Sequence, residues 1–182
     1  CRRYDIPGHA HLLTFSCFKR RPFLSTNDMC RWFLEGLDRA RTKCVFDLWA
    51  FVIMPEHIHL LILPKKQEYT VSKILYEIKY PFSTRVLRHI RKNSPSFLEQ
   101  MRDEQPNGKV SHRFWQRGGG YDRNILQPKV VRTTLDYIHK NPVRRKLVEL
   151  PEEWPWSSAG YYIENEQGPL VLNTETLYET IG

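Results

Sequence analysis

The sequence predicts an α+β fold, in which an antiparallel sheet of four to five strands carries helices on one face. Apolar and β-branched segments of strand length alternate with segments whose apolar residues recur at helical spacing. Their order is strand, helix, strand, strand, helix, strand, helix and then an aromatic-rich tail, which is typical of ferredoxin-like or RRM-like sandwiches. The 182 residues, 41% of them hydrophobic, suffice for one domain with a sizeable core.

The first half of the chain supplies three of these strands and one helix. Residues 9–18 are rich in apolar, aromatic and Thr side chains, which predicts a strand. Residues 25–28 offer several N-cap side chains, and a helix follows to about Lys43. Residues 45–53 and 57–63 then form a strand pair joined by a tight turn. Apolar residues keep the helical spacing at Met29, Phe33, Leu37 and Ala40.

A second helix opens at residues 69–72 and keeps a rough helical period as far as Leu87. Pro81 lies inside it and is predicted to kink or restart it, because proline lacks the N–H that a helix interior needs. Residues 97–109 are polar and contain a Pro-Asn-Gly turn sequence, which predicts a loop.

The last regular elements are a strand and a helix. Residues 110–115 predict the fourth strand, and a glycine run at 118–120 follows it. Pro128 suits the first turn of a third helix over residues 129–141, which Pro142 is predicted to stop.

We predict that residues 1–150 form the main domain and that residues 151–182 are a C-terminal extension packed on or beside it. The extension contains an aromatic cluster, Trp154, Trp156, Tyr161 and Tyr162. This cluster is either a lid packed on the core or a surface on which nucleic-acid bases stack. Packing is the more frequent use of such tryptophans and favours the lid.

The chain is basic, with 28 Lys and Arg against 20 Asp and Glu, which gives a formal net charge of +8. Such an excess predicts a polyanionic partner, and nucleic acid is the first candidate. The charge occurs in short doublets such as Arg2-Arg3 and Arg144-Arg145, so we expect it to decorate a folded surface.

The cysteine pattern predicts an intracellular location. Cys1, Cys17, Cys30 and Cys44 lack the Cys-x-x-Cys spacing of a zinc ribbon. No apolar signal segment opens the sequence, and no apolar run is long enough to cross a membrane. We therefore expect reduced thiols in a cytoplasmic protein.

The strand at 57–63 carries His57 and His59, which point to the same face because side chains two apart in a strand share it. Two imidazoles on a rigid sheet can provide half of a metal site. Alternatively, one or both histidines are merely polar residues on a solvated sheet face. The spacing alone leaves both interpretations open.

The third helix carries Tyr137 and Asn141, whose spacing of four residues places them on one helix face. If that face lies near His57 and His59, the site would combine two imidazoles, an amide oxygen and a phenol. A cation bound by the first three could hold a phosphodiester while the phenol, whose reference pKa is about 10, attacks phosphorus. The alternatives are a surface tyrosine and an asparagine that merely ends the helix before Pro142.

The glycine run at 118–120 allows the backbone to turn sharply or to approach a ligand closely, or it forms a plain flexible turn. Tyr121 follows it and is a rival candidate nucleophile. It ranks below Tyr137 because it lies beside flexible glycines and not on a helix.

Four ordered segments resemble REP-associated tyrosine transposases, which belong to the single-tyrosine HUH superfamily. The segments read MPEHIHLLI, FWQRGGGYD, TLDYIHKNPVRRKLV and WPWSSAGYY, and the opening HLLTFSCFKRRPFL precedes them. HUH names two histidines that flank a bulky apolar residue, here His57-Ile58-His59. The ordered set spans nearly the whole chain and is far more specific than the triplet alone.

The resemblance implies a metal-dependent endonuclease and strand transferase, contained in residues 1–150, that acts on single-stranded or hairpin DNA such as REP palindromes. Tyr137 matches the nucleophile, which would form a covalent 5′-phosphotyrosine and leave a free 3′-hydroxyl. His57 and His59 match the metal ligands, and Asn141 matches a polar third ligand. The metal would be Mg²⁺ or Mn²⁺, since imidazole favours Mn²⁺ and cellular abundance favours Mg²⁺.

The resemblance also implies a bacterial cytoplasmic protein with a nucleoid-associated substrate, monomeric, with a dimer as the alternative. Two other functions stay open: a non-catalytic module that binds single-stranded nucleic acid on the same fold, and a metal-dependent hydrolase that activates water. Basic residues that flank the motif segments are candidate DNA contacts, and these are Arg2, Arg3, Arg117, Arg123, Lys140, Arg144 and Arg145.

Overall fold

A computed structural model describes residues 4–182, so Cys1 and two of the predicted DNA contacts, Arg2 and Arg3, lie outside the described residues. The strands and helices, in chain order, are β1 (Ala10–Ser16), α1 (Asn27–Cys44), β2 (Phe46–Ile53), β3 (His57–Pro64), α2 (Val71–Asn93), β4 (Arg102–Glu104), β5 (Val110–His112), β6 (Tyr121–Ile125), α3 (Pro128–His139), α4 (Asn141–Arg144), α5 (Ala159–Glu164) and α6 (Thr174–Ile181). Short 3₁₀ turns cover Phe18–Arg20, Pro95–Met101 and Pro151–Glu153.

The described residues confirm the predicted α+β fold with an antiparallel sheet. Four strands pair in the order β2–β3–β1–β6, so β1 is central and β6 forms one edge. The register places Thr14 of β1 beside His59 of β3 on one side and beside Tyr121 of β6 on the other. This row of three side chains is the basis of the candidate site described below.

The prediction of the fourth strand at 110–115 was only partly correct, because residues 110–112 do form a strand but not in the main sheet. The edge strand is β6, whereas residues 110–112 pair with β4 in a separate two-stranded hairpin. The loop predicted at 97–109 is therefore largely a 3₁₀ turn and part of that hairpin. Phe114 and Trp115 explain the error, because both are buried against Phe82 of α2, at ring centroid distances of 4.9 and 5.5 Å. Their side chains pack on the helical layer, while their backbone pairs only briefly with the chain beyond β1, through the bridge between Cys17 and Trp115.

The sequence predicted helices on one face of the sheet, but helices cover both faces. Side chains of β1 and β3 such as Leu13, Phe15 and Leu60 face α1 and α2. The opposite face, which includes Leu12 and Leu61, packs against α3 and α6. All eight residues of β2 except Asp47 are buried, and such a strand needs cover on both sides.

Two prolines lie inside helical segments. The helix α2 runs through Pro81 as one element, so the predicted restart does not occur; Pro81 is exposed, and the buried residues Ile78 and Phe82 lie on either side of it. Pro142 follows the end of α3, but it lies in the first turn of α4, where its missing N–H costs no helical hydrogen bond.

The C-terminal residues run along the outer edge of β2. The backbone N–H of Ile53 donates to Trp156 O (2.8 Å), and Ser158 N–H donates to Phe51 O (3.0 Å). Farther along, Leu177 of α6 is fully buried. The tail therefore covers a sheet edge that would otherwise expose unpaired backbone groups. The division of the chain at residue 150 stays a prediction.

Two further features concern the chain as a whole. Cys17, Cys30 and Cys44 are buried free thiols. In the portion from residue 4 onward, none of the helices combines the length and the apolar character that crossing a bilayer requires.

Candidate active site

The strand β3 places His57 and His59 side by side on the sheet face that α3 covers. Their Nε2 atoms lie 3.1 Å apart, and their rings are nearly perpendicular at 87°. Only 6% of His57 and 3% of His59 is exposed, so the interpretation of both as residues on a solvated face is wrong. Two buried imidazoles therefore present the same ring nitrogen to one point.

The opposite ring nitrogens are each held by an oxygen. His59 Nδ1 is hydrogen-bonded to Thr14 Oγ1 (2.7 Å), and His57 Nδ1–H donates to Glu56 Oε1 (3.1 Å). Burial lowers the pKa of His57, and burial together with the neighbouring His57 lowers the pKa of His59 to about 3. Both rings are thus neutral near pH 7, and a proton on each Nδ1 would leave a lone pair on each Nε2.

With both protons on Nδ1, the two Nε2 lone pairs face each other across 3.1 Å and repel unless a cation lies between them, whereas a proton on one Nε2 would form a hydrogen bond between the rings. Cis ligands of a divalent first-row cation, at bond lengths of roughly 2.1 Å, are about 3.0 Å apart. The oxygens behind the Nδ1 atoms are the outer contacts that normally orient metal-binding histidines. The donor set therefore fits a divalent cation.

The third ligand has to come from another residue type, because residues 4–182 contain no group of three His, Cys, Asp or Glu side chains arranged around a metal. Asn141, at the start of α4, is 7% exposed and donates from Nδ2 to His59 Nε2 (3.1 Å). An amide can be turned about its last bond so that Oδ1 takes the place of Nδ2. In that orientation Asn141 offers an oxygen where the two imidazoles converge.

The phenol of Tyr137 lies at the mouth of this cluster. Its ring centroid is 5.2 Å from that of His59, at an interplanar angle of 78°. Tyr137 is 40% exposed, so a large substrate can reach it. The guanidinium carbon of Arg144 lies 5.2 Å from the centroid of the same ring and adds positive charge beside the phenol. The structure thus brings Tyr137, His57, His59 and Asn141 together, and their roles stay predictions.

Arg145 has a different environment from the one predicted for a DNA contact. Its Nη1 lies 2.9 Å from Glu56 Oε1, the atom that also accepts from His57. Glu56 is 7% exposed, so its charge is shielded from water and is balanced by Arg145. This ion pair joins the end of α4 to the turn that precedes β3.

The other predicted DNA contacts within the described residues are scattered. Arg117 donates to Asp103 Oδ2 (2.8 Å) at the β4–β5 hairpin, and Lys140 lies 3.5 Å from Asp136. Arg123 on β6 lines a pocket beside the histidines. Each of these three side chains stays a predicted contact, and Arg123 is the one that faces the cluster.

Sequence reasoning missed Thr14 and Glu56. Thr14 is a polar residue in an otherwise apolar strand, which is a weak signal, and its partner His59 is 45 positions away. Glu56 immediately precedes His57, but its function depends on the distant Arg145. Neither partnership can be inferred from spacing.

A pocket of about 470 Å³ adjoins the cluster, and His59 and Tyr137 belong to its lining. Tyr121, the rival nucleophile, lines the same pocket from β6 and is 50% exposed. In the strand register Thr14 lies between Tyr121 and His59, so two strand spacings, about 9.5 Å, separate them. Tyr137 is accordingly the nearer phenol.

Comparison with known proteins gives consistent results. Residues 8–141 match the family described as Transposase IS200 like. A Haemophilus influenzae protein, provisionally named a REP-associated tyrosine transposase, is 32% identical over 114 residues, which is 62% of this chain and 58% of the relative. The REP-associated tyrosine transposase of Escherichia coli is 29% identical over 160 residues, which is 86% of this chain and 80% of the relative.

One solved structure is similar over most of the chain. It is that of a REP-associated tyrosine transposase bound to a REP hairpin, and it matches with a TM-score of 0.65 and 25% sequence identity. The match covers 90% of this chain and 84% of that one. The similarity therefore includes both the sheet and most of the helices that surround it.

Proposed function

Because this chain belongs to the IS200-like transposase family, we propose that it is a metal-dependent endonuclease and strand transferase of single-stranded DNA. We further propose hairpin DNA of the REP type as its substrate. The relatives named as REP-associated transposases, and the similar structure that holds a REP hairpin, support this substrate class. The net charge of +8 suits a polyanionic partner.

The observation that carries the proposal is the Tyr137 ring, accessible and 5.2 Å from the ring of His59. In the proposed step the phenolic oxygen attacks phosphorus, and the bond from phosphorus to the 3′ oxygen of the preceding nucleotide breaks. The phenolic proton ends on that 3′ oxygen. One phosphodiester replaces another, so the reverse reaction can rejoin a strand without an external energy source.

His57, His59 and Asn141 would hold a divalent cation, Mg²⁺ or Mn²⁺, which would supply charge neutralisation at the phosphoryl oxygens. Thr14 and Glu56 keep the Nδ1 protons in place and so direct both Nε2 lone pairs inward. Arg144 presents its guanidinium beside the phenol, where a phosphate would approach.

The test of this proposal is a covalent adduct. We expect that a labelled REP-type hairpin oligonucleotide, incubated with the protein and Mn²⁺, migrates with the protein on a denaturing gel. Tyr137→Phe removes the attacking oxygen and should abolish the adduct while leaving DNA affinity intact. The matched control is Tyr178→Phe, which removes the same hydroxyl from an exposed tyrosine on α6 and should leave the adduct unchanged.

Other outcomes identify the competing functions. Tight binding with no adduct under any metal would indicate a non-catalytic binding module. Cleavage that survives Tyr137→Phe and leaves no adduct would indicate a hydrolase. His57→Ala and His59→Ala should each abolish cleavage in protein that still folds, and normal cutting by either variant would show that the proposed ligand set is wrong.

A further inference from the structure

The catalytic face of the sheet extends beyond the histidines to the edge strand. Because paired residues of antiparallel strands point to the same side, Tyr121, Thr14 and His59 form one row across β6, β1 and β3. Arg123 and Leu12 form the next row, two residues farther along. An aromatic ring and a guanidinium therefore lie on the same surface as the imidazole pair.

The helix α3 forms the opposite wall of this surface. Thr133, Thr134 and Tyr137 face the strands across a pocket of about 470 Å³, which is the size of small-ligand sites in general. Leu12 contributes an apolar patch, while Thr133 and Arg123 are exposed at the rim. The pocket thus combines an apolar floor with hydroxyl and guanidinium donors, and one of its walls is Tyr137.

The backbone just before Tyr121 is held close to β1. Gly120, just before it, has a φ of +73°, and a Cβ at this position would lie 2.1 Å from the carbonyl oxygen of Thr14. The backbone of residue 120 therefore touches β1 as closely as a glycine allows. The glycine run gives a close approach to the neighbouring strand, and it sets Tyr121 against the sheet while 50% of the residue stays exposed.

We propose that this pocket binds one unpaired nucleotide of the DNA, next to the phosphodiester that Tyr137 attacks. The base stacks on the Tyr121 ring, and Arg123 contacts the phosphate that follows. This inference rests on the proposed function and adds to it a site for the substrate. A half-exposed aromatic side chain next to a basic one is the combination with which proteins bind single strands, since every base has a face to stack.

The test measures affinity and not only cleavage. In the Tyr137→Phe background, where no covalent link can form, Tyr121→Ala should weaken binding of the hairpin oligonucleotide by about five-fold to a hundred-fold, because it removes the stacking ring. Tyr121→Phe keeps the ring and should restore the affinity. Fluorescence anisotropy at a fixed salt concentration gives both dissociation constants.

The position of the nucleotide is tested with abasic oligonucleotides. Removal of the base on one side of the mapped cleavage site should weaken binding to the protein that retains Tyr121, and should have little further effect on Tyr121→Ala. Tyr178→Ala, on the exposed surface of α6, is the matched control and should bind like its parent. Because Tyr121 is half exposed, we expect each variant to fold, and thermal unfolding checks this.

The outcomes separate this inference from the proposed function. An unchanged affinity of Tyr121→Ala, with normal adduct formation by the unmodified protein, would overturn the nucleotide site alone. Loss of the adduct in Tyr121→Phe, with Tyr137 present, would identify Tyr121 as the nucleophile and would overturn the assignment of Tyr137 in the proposed function. Absence of any adduct from the unmodified protein would instead overturn the proposed function.

Discussion

The two histidines of the candidate active site are oriented by chemically different neighbours. His57 donates to a buried carboxylate that is paired with Arg145, whereas His59 Nδ1 is hydrogen-bonded to the neutral hydroxyl of Thr14. Removal of the carboxylate would also break its ion pair with the half-exposed Arg145, so its effect would be mixed. Thr14 offers the cleaner test, because valine has nearly the same shape and lacks only the hydroxyl.

We predict that Thr14→Val weakens Mn²⁺ binding by about 10-fold or more, as is common when the oxygen behind a metal-binding histidine is lost. The physical reason is that His59 no longer has an acceptor for its Nδ1 proton and can turn or change tautomer. Electron paramagnetic resonance of free Mn²⁺, without DNA, measures the dissociation constant. Thr42→Val, at an exposed position of α1, is the control. Equal affinities of the two variants would contradict the prediction.

At the scale of single residues, the sequence indicated the proposed metal ligands better than the side chains that orient those ligands. His57 and His59 could be proposed from spacing, because the strand period fixes which face each residue takes. Tyr137 and Asn141 were proposed as residues of one helix, but α3 ends at His139 and Asn141 begins α4, so the helical spacing alone does not account for their proximity. The support from Thr14 could not be inferred, since it depends on the register between β1 and β3, which the sequence does not specify.

At the scale of secondary structure elements, β6 begins at a close backbone contact. It is an edge strand of five residues, and it meets β1 directly after Gly120. Gly118, two residues earlier, has a similar φ of +88° but faces open space. The two glycines therefore separate the cost of the backbone angle from the cost of a steric clash.

We predict that Gly118→Ala lowers the free energy of unfolding by about 1–2 kcal/mol, the usual cost of a left-handed backbone angle in alanine. Gly120→Ala should cost clearly more, because its Cβ would collide with Thr14 O and force β6 away from β1. Urea denaturation of both variants measures the difference. Equal losses of stability would contradict the prediction, because they would show that the sheet adjusts to a Cβ at residue 120 without cost.

The elements that the sequence predicted well are those with a strong periodic pattern. The strands β1, β2 and β3 and the helices α1 and α3 lie within a few residues of their predicted positions. The strand β6 was missed because YDRNI is short and polar, as suits an edge that faces a pocket. The run ending in Phe114 and Trp115 was mistaken for it because burial alone does not distinguish a strand from a loop that fills a core.

For the molecule as a whole, a buried histidine links stability to pH. His139 of α3 is 7% exposed, and its Nε2 lies 2.9 Å from Ser158 Oγ, which joins α3 to the C-terminal residues. Burial lowers the pKa of His139 from 6.5 to about 4. In the unfolded chain His139 is therefore protonated below about pH 6.5, whereas in the folded protein it stays neutral down to about pH 4.

We predict that this histidine makes the free energy of unfolding fall by about 2 kcal/mol between pH 7 and pH 5. The contribution is complete above pH 6.5 and is lost as the pH falls. Urea denaturation across this range should show a steeper decline for the unmodified protein than for His139→Gln, with parallel behaviour above pH 7. Identical slopes throughout would contradict the assignment to His139.

The alternation of side chains along β3 limits which length changes this chain can accept. An inserted or deleted residue between Glu56 and Leu63 would exchange the two sides of the strand beyond the change, which would send an imidazole toward α1 and α2 and a leucine toward the phenol. Insertion or deletion of an even number of residues would keep the alternation. An odd number would displace the histidines from the candidate active site and the leucines from the core together. We therefore expect descendants of this gene to vary in length within the surface connections, and to keep the spacing from the turn before His57 to the end of β3 fixed.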